Sequence, residues 1–157
     1  MMQMLAELFR YNVWANHRIV DACAALSDDQ LRTPRADVYG SILDTLGHLI
    51  SVEYNYLRLI RGEPTAPQRF ADVAAARERC QDTDRAYIEL VERLDELGLG
   101  RSFRMEGLGR DMTVGQGLLQ VATHSIQHRA DLASAVSRSG VEPPGLDYVH
   151  YLAEGQS

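Results

Sequence analysis

"TVGQGLLQVATHSIQHRADLASAVSRSG", residues 113–140, is the stretch whose reading decides the fold. Thr113 answered three residues later by Gln116 fits a capping box, in which a hydroxyl and a glutamine satisfy each other's backbone N–H groups. Leu118, Ala122, Leu132 and Val136 then recur at helical spacing and centre an apolar arc. The helix continues to about Ser139, and Gly140 fits the position just past its end. His124 and His128 stand at the margin of that arc, beside Val121. At about 100° per residue, two side chains four apart lie about 40° apart on one face. Both imidazoles can then reach one ion about 2.0–2.1 Å from each nitrogen. Gly117, Ala135 and Asp131 are their neighbours, and small residues there leave room for a cleft. The same spacing also suits two histidines that merely share a face. A metal reading needs a third ligand.

Working outward, three more stretches carry helical periodicity, and none shows sustained strand alternation. The first runs from about Gln3 to Leu26, with Leu5, Leu8, Phe9, Ile19, Val20, Cys23 and Leu26 on one side. "SDDQL" follows as a short turn with Ser27 as its cap, ended by Thr33-Pro34, because the residue before proline disfavours helix. The second helix reads from Ser41, its N-cap, to Arg61, with Asp44 in the first turn and Gly62 as the stop. "EPTAP" is then a loop. A third runs from Phe70 or Ala71 to Leu97, with a very polar middle, "RERCQDTDR", read as broken or exposed. Residues 101–112 are irregular or a β-hairpin, and the tail "EPPGLDYVHYLAEG" holds one short apolar turn. These elements predict an all-α chain: a four-helix bundle with short extra helical turns and one irregular or hairpin connection before the last long helix, as a single domain over 1–157.

The third candidate ligand is His48, in "DTLGHLISVEYNYL" of the second helix, just past the Leu59 edge of its apolar arc. Three neutral imidazoles without a thiolate suit Zn²⁺, Ni²⁺ or Fe²⁺ and leave a coordination position open, as in catalytic rather than structural zinc sites. Glu53 and Arg129 project into the middle of their helices' apolar arcs. A lone buried charge is expensive, so each is expected to pair with the other or with nearby polar groups. Asn12 and Asn16 also face inward and would bond buried backbone or the same charges. Trp14 lies off that face, at an interface or over the cleft. His17 reads as a surface residue near Arg10. Whether His150, in the C-terminal turn, approaches the site stays open.

A charge of −6 gives no basic footprint for nucleic acid. Cys23 and Cys80 sit on different helices without metal or redox spacing and read as buried, reduced thiols. "MMQMLAELFRYNVWANHR" lacks the apolar block of a signal peptide, and no segment reads as a membrane span, so a cytoplasmic location is expected. "YGSIL" is not a nucleophile elbow, and no glycine-rich phosphate loop exists, so any chemistry should run through the metal.

The chain resembles the DinB-like (DinB/YfiT) family of bacterial four-helix-bundle proteins over nearly its whole length. "YNVWANHRIV" is similar to that family's Y-N-x-W-A-N stretch. "GSILDTLGHLISVEYNYL" is similar to its second helix, with Glu53 at a frequent acidic position. "THSIQHRADL" resembles its H-x-x-x-H-R-G-Q element, and "PPGLDYVHYL" its Pro/Gly, Asp, Tyr-Leu finish. The resemblance implies a divalent-metal site of His48, His124 and His128, a homodimer, and a small-molecule substrate. It points to transfer of a low-molecular-weight thiol, with metal-dependent hydrolysis or a non-catalytic metal-binding stress-response role as alternatives. The family's G-Q is Ala130-Asp131 here. Asp131 is then a candidate catalytic base or a support for an imidazole N–H, or else a solvated carboxylate.

Overall fold

A computed structural model describes residues 2–155, with the backbone alone at Leu108. Four long helices make a bundle: α1 (Met2–Ala24), α3 (Ile42–Arg61), α4 (Val73–Arg93) and α6 (Val114–Arg138). Short helices α2 (Asp28–Arg32), α5 (Glu96–Gly100) and α7 (Tyr148–Glu154) join or follow them. α1 and α3 each pack against both α4 and α6, so α1 and α3 face each other across the bundle's diagonal. None of the described helices is long and apolar enough to cross a membrane.

Local chemistry sets most of the boundaries. Ser27, Ser41 and Thr113 each close a full capping box, with Gln30, Asp44 and Gln116 as the answering side chains. Gly62 ends α3 in the left-handed region at φ 74°, where a side chain would be strained. The segment read as irregular or a hairpin is a hairpin over 102–113: β1 (Ser102–Met105) pairs antiparallel with β2 (Arg110–Thr113), Ser102 opposite Thr113, around a 3₁₀ turn at Glu106–Leu108.

The third predicted helix differs from expectation in two respects. It stops at Arg93, because Leu94 turns extended and Asp95 caps a new helix, its side chain accepting from the Gly98 N–H. Its polar middle is neither broken nor simply exposed. α4 runs through "RERCQDTDR" without interruption, and Cys80, Thr83 and Asp84 are buried.

The reason lies in the core. Two apolar clusters fill the bundle. One gathers Ile19, Leu46, Ile50, Cys80 and Leu132, the other Phe9, Leu57, Tyr87, Leu118 and Val121. Between them lies a buried polar layer supplied by all four long helices. Glu53 of α3 has no exposed surface. Its carboxylate accepts from Asn12 Nδ2 (2.9 Å), Asn16 Nδ2 (3.0 Å) and Ser125 Oγ (2.5 Å). Arg129 of α6 donates to the Asn12 and Asn16 side-chain oxygens at 2.7 and 2.6 Å. Glu53 and Arg129 therefore do not pair directly. Two asparagine amides stand between them, each giving its N–H to the anion and its oxygen to the cation. Asp84 joins through Asn16 Nδ2 (3.0 Å) and Cys80 Sγ (3.3 Å), and Tyr87 donates to the Glu53 backbone carbonyl (2.7 Å). Burial, and then the nearby Asp84 charge, push the Glu53 carboxyl up, against the hydrogen bonds from Ser125 and Asn12 and the Arg129 charge.

Removing one partner of such a buried set leaves an uncompensated charge. Arg129→Leu is expected to lower unfolding free energy by about 3–5 kcal/mol, against less than about 1 kcal/mol for Arg104→Ala in an exposed pair, both read from urea denaturation. His17 supplies a pH handle on the same layer. Its Nε2 lies 3.3 Å from Asp84 Oδ2, and that hydrogen bond raises its pKa above 6.5, against desolvation. Asp21 adds to the rise and Arg77 opposes it. A raised folded pKa gives stability that is full below 6.5 and is lost as pH rises through the folded value. The urea midpoint should fall between mildly acidic and alkaline buffer, and His17→Gln should flatten that part of the profile. An unchanged slope in the variant would show that His17 does not couple to Asp84.

Candidate metal centre

The seam between α3 and α6 carries the histidines. The two capping boxes fix where each helix starts, and the polar layer fixes how the helices align. His48 lies just over one turn before Glu53 on α3, and His124 and His128 flank Ser125 on α6. His48 Nε2 and His124 Nε2 stand 3.2 Å apart. Nitrogen atoms from His48, His124 and His128 all fall within 4.8 Å of one another, and this is the only such histidine, cysteine or carboxylate cluster among the described residues. Ring centroids are 4.4 Å apart for His124 and His128, and 4.9 and 5.0 Å from His48 to each. Two nitrogens each about 2.0–2.1 Å from one tetrahedral ion would stand about 3.3 Å apart. The observed pair is at that spacing already.

Electrostatics favours the neutral form of two of the rings, His48 and His124. Burial, then the neighbouring His128, lowers the His48 pKa. Burial, then His128 and His48, pushes His124 down to about 4. Neutral imidazole is the ligating form. Three imidazoles crowded together without an acidic partner inside the cluster is an arrangement a cation would relieve.

Asp131 sits one helical turn beyond His128, its Oδ2 3.3 Å from His128 Nδ1. The approach does not make a hydrogen bond, and the buried Nδ1 atoms of His128 and, separately, of His124 have no hydrogen-bond partner among the described residues. Asp131 is partly exposed, at 41% of its side chain, whereas His128 is 15% exposed. It therefore borders the cluster from the solvent side.

The other sequence candidates lie elsewhere. His17 turns to Asp84, and His150 packs on Gly145. Trp14 neither covers the cluster nor stands bare. Its Nε1 donates to Glu154 of α7 at 2.8 Å, and its ring meets Tyr151 edge-on. Sequence reading missed Tyr39, whose ring stacks on His48 with centroids 4.8 Å apart. It also missed a cleft of about 660 Å³ opening at His48, lined by Tyr39, Gly47, Ser51, Arg69 and Phe70 among others. His124 and His128 are not in its lining, so the cleft reaches the cluster from the His48 side. No periodic signal marks the loop residues that wall it.

The comparisons with known proteins agree with this architecture. Protein DinB of Bacillus subtilis (strain 168) is 24% identical over 162 aligned positions, covering 93% of this chain and 92% of that protein. Among solved structures, YfiT from Bacillus subtilis, a probable metal-dependent hydrolase with an unusual four-helix bundle topology, superposes with a TM-score of 0.71. It has 17% identity, over 88% of this chain and 89% of that one. A DinB-like protein, YjoA, also from Bacillus subtilis, gives a TM-score of 0.69 at 18% identity, over 89% and 96% of the two chains. The model of the DinB family matches residues 1–156, and with that match the chain belongs to the DinB family.

Proposed function

We propose that this single-domain chain is a divalent-metal-dependent enzyme of hydrolase type, with His48, His124 and His128 as its ligands. The observation that carries the reading is the convergence of three imidazole nitrogens within 4.8 Å, two of them at 3.2 Å, from helices that place them 76 residues apart in sequence. The hydrolase type is supported by the likeness to YfiT. A divalent ion held there by three neutral donors would keep its full charge and an open position, able to acidify a water or a thiol. The chain's own residues do the rest. Burial keeps His48 and His124 unprotonated. Asp131, with its carboxylate 3.3 Å from His128 Nδ1 and partly in solvent, is the acidic group beside the cluster and would serve as the base that takes up a proton from the attacking group. Transfer of a low-molecular-weight thiol uses the same centre and is the second reading. It is favoured by the absence of any thiolate or carboxylate from the cluster, which leaves the ion as electrophilic as three neutral ligands allow. A homodimer belongs to the same proposal, supported by the exposed Leu119 and Ile126 on α6.

Protein purified without a histidine tag should carry one divalent ion per chain by elemental analysis, and His124→Ala should lose it. Metal-free native protein that takes up no Zn²⁺, Ni²⁺ or Fe²⁺ would end the reading. Hydrolysis of activated esters such as nitrophenyl acetate should need the ion and vanish in His48→Ala. Thiol-dependent consumption of chlorodinitrobenzene in its place would select the transfer reaction. Asp131→Asn should lower metal affinity or turnover by about 10–100-fold, while the urea midpoint stays close to wild type.

A further inference from the structure

The cleft beside His48 is built by more than the helix that carries the histidine. α3 contributes Leu43, Gly47 and Ser51, and the segments before and after α3 add Tyr39 and residues 67–70. The second segment is fastened to the helix at several points. The Gln68 N–H donates to Ser51 Oγ (3.2 Å), the Ala66 N–H to Asn55 Oδ1 (3.3 Å), and Arg58 Nε to the Pro64 carbonyl (2.5 Å). The Phe70 ring comes so close over Gly47 that a Cβ there would lie 3.3 Å from it. A side chain at 47 would press on this aromatic wall and ask the Phe70 ring to shift by a few tenths of an ångström. At about 660 Å³ the space is within the roughly 300–1,000 Å³ of small-molecule sites.

Besides His48, two charged side chains line the cleft, and only one is committed. Asp44 Oδ2 accepts from the Ser41 N–H (3.1 Å) and Oγ (2.7 Å), closing the cap of α3. Arg69 stands exposed at the cleft's rim and makes no hydrogen bond, ion pair or aromatic stacking contact with any described residue. Three arginines around it are occupied: Arg32 donates to the Ala71 carbonyl, Arg58 pairs with Glu63, and Arg79 stacks on Tyr54. A guanidinium stays charged at every working pH and offers a planar fork that fits a carboxylate.

We propose that this cleft is the binding site for the substrate, and that it takes a small organic acid. The carboxylate pairs with Arg69, and a planar apolar part lies against Tyr39 and Phe70. The word substrate rests on the metal-enzyme reading above, which this deepens by naming a chemical class. The recognition chemistry itself belongs to the cleft. Arg69 acts here as a specificity residue and holds the acid end, while Tyr39, stacked on His48, directs the other end toward the histidines.

Naphthoate and its neutral amide, naphthamide, test this when titrated into the protein with and without Zn²⁺, following backbone amide resonances by NMR. Naphthoate is expected to perturb residues 47–51 and 68–70 and to bind about tenfold more tightly than the amide, the size of one charge-assisted hydrogen bond. Arg69→Gln should erase that preference with zinc content and urea midpoint unchanged, and Arg69→Lys should keep part of it. Equal affinity for acid and amide, an Arg69→Gln variant that binds like wild type, or shifts confined to another surface would overturn the proposal. None of these readouts needs turnover. A charge-selective cleft in a protein that hydrolyses nothing would sink the reaction and leave the binding site. An active enzyme indifferent to Arg69 would sink the binding site alone.

Discussion

The buried carboxylate of Glu53 is the constraint on which the bundle's alignment depends. It sits between two apolar clusters and receives hydrogen bonds from α1 and α6, while Asn16 links it to Asp84 on α4. An apolar interface tolerates a small slide of one helix along another, because oil-like contacts are replaced by similar ones. A charged layer does not, since a slip of one turn would bury the same groups without partners. The layer thus gives α3 and α6 one vertical alignment. It is the alignment that brings position 48 level with positions 124 and 128.

The asparagines make that layer possible. A bare Glu–Arg contact would hold the charges but leave their other hydrogen-bonding sites empty in an apolar surrounding. Asn12 and Asn16 spread both charges over two amides, and each amide is satisfied at both ends. Nη2 of Arg129 has no hydrogen-bond partner, and the guanidinium carbon stands 5.8 Å from the centre of the Tyr11 ring, a cation–π distance. On α6 the same two turns carry Ser125 and Arg129 inward and His124 and His128 toward the seam. One short stretch of helix thereby serves both the fold and the candidate centre.

What could be read from the sequence follows the range of the forces involved. Caps at Ser27, Ser41 and Thr113 are local, and they were legible within a residue. The hairpin showed as a gap in the helical period, and the Glu53–Arg129 problem as two charges on apolar arcs. Its solution through amides needed three dimensions. The stretch "RERCQDTDR" reads as broken or exposed because the α4 stripe of Cys80, Thr83, Asp84, Tyr87 and Val91 is polar in part, so periodicity of hydrophobic residues alone fails there. The histidine pair on α6 was legible from spacing, but its meeting with His48 depends on how two helices pack. The cleft lay beyond reach, since Tyr39 and Arg69 come from segments whose path no repeat pattern announces.

The docking of α7 on α1 has a spectroscopic corollary. Trp14 is the chain's one indole, and its ring is held by Tyr151 and Glu154 of α7, with the Arg18 guanidinium 5.0 Å above it. Its fluorescence therefore reports on the C-terminal segment, while the far-ultraviolet dichroism of the chain is dominated by the four long helices. Detachment of that segment and melting of the bundle are written in two separate optical signals of the unlabelled protein.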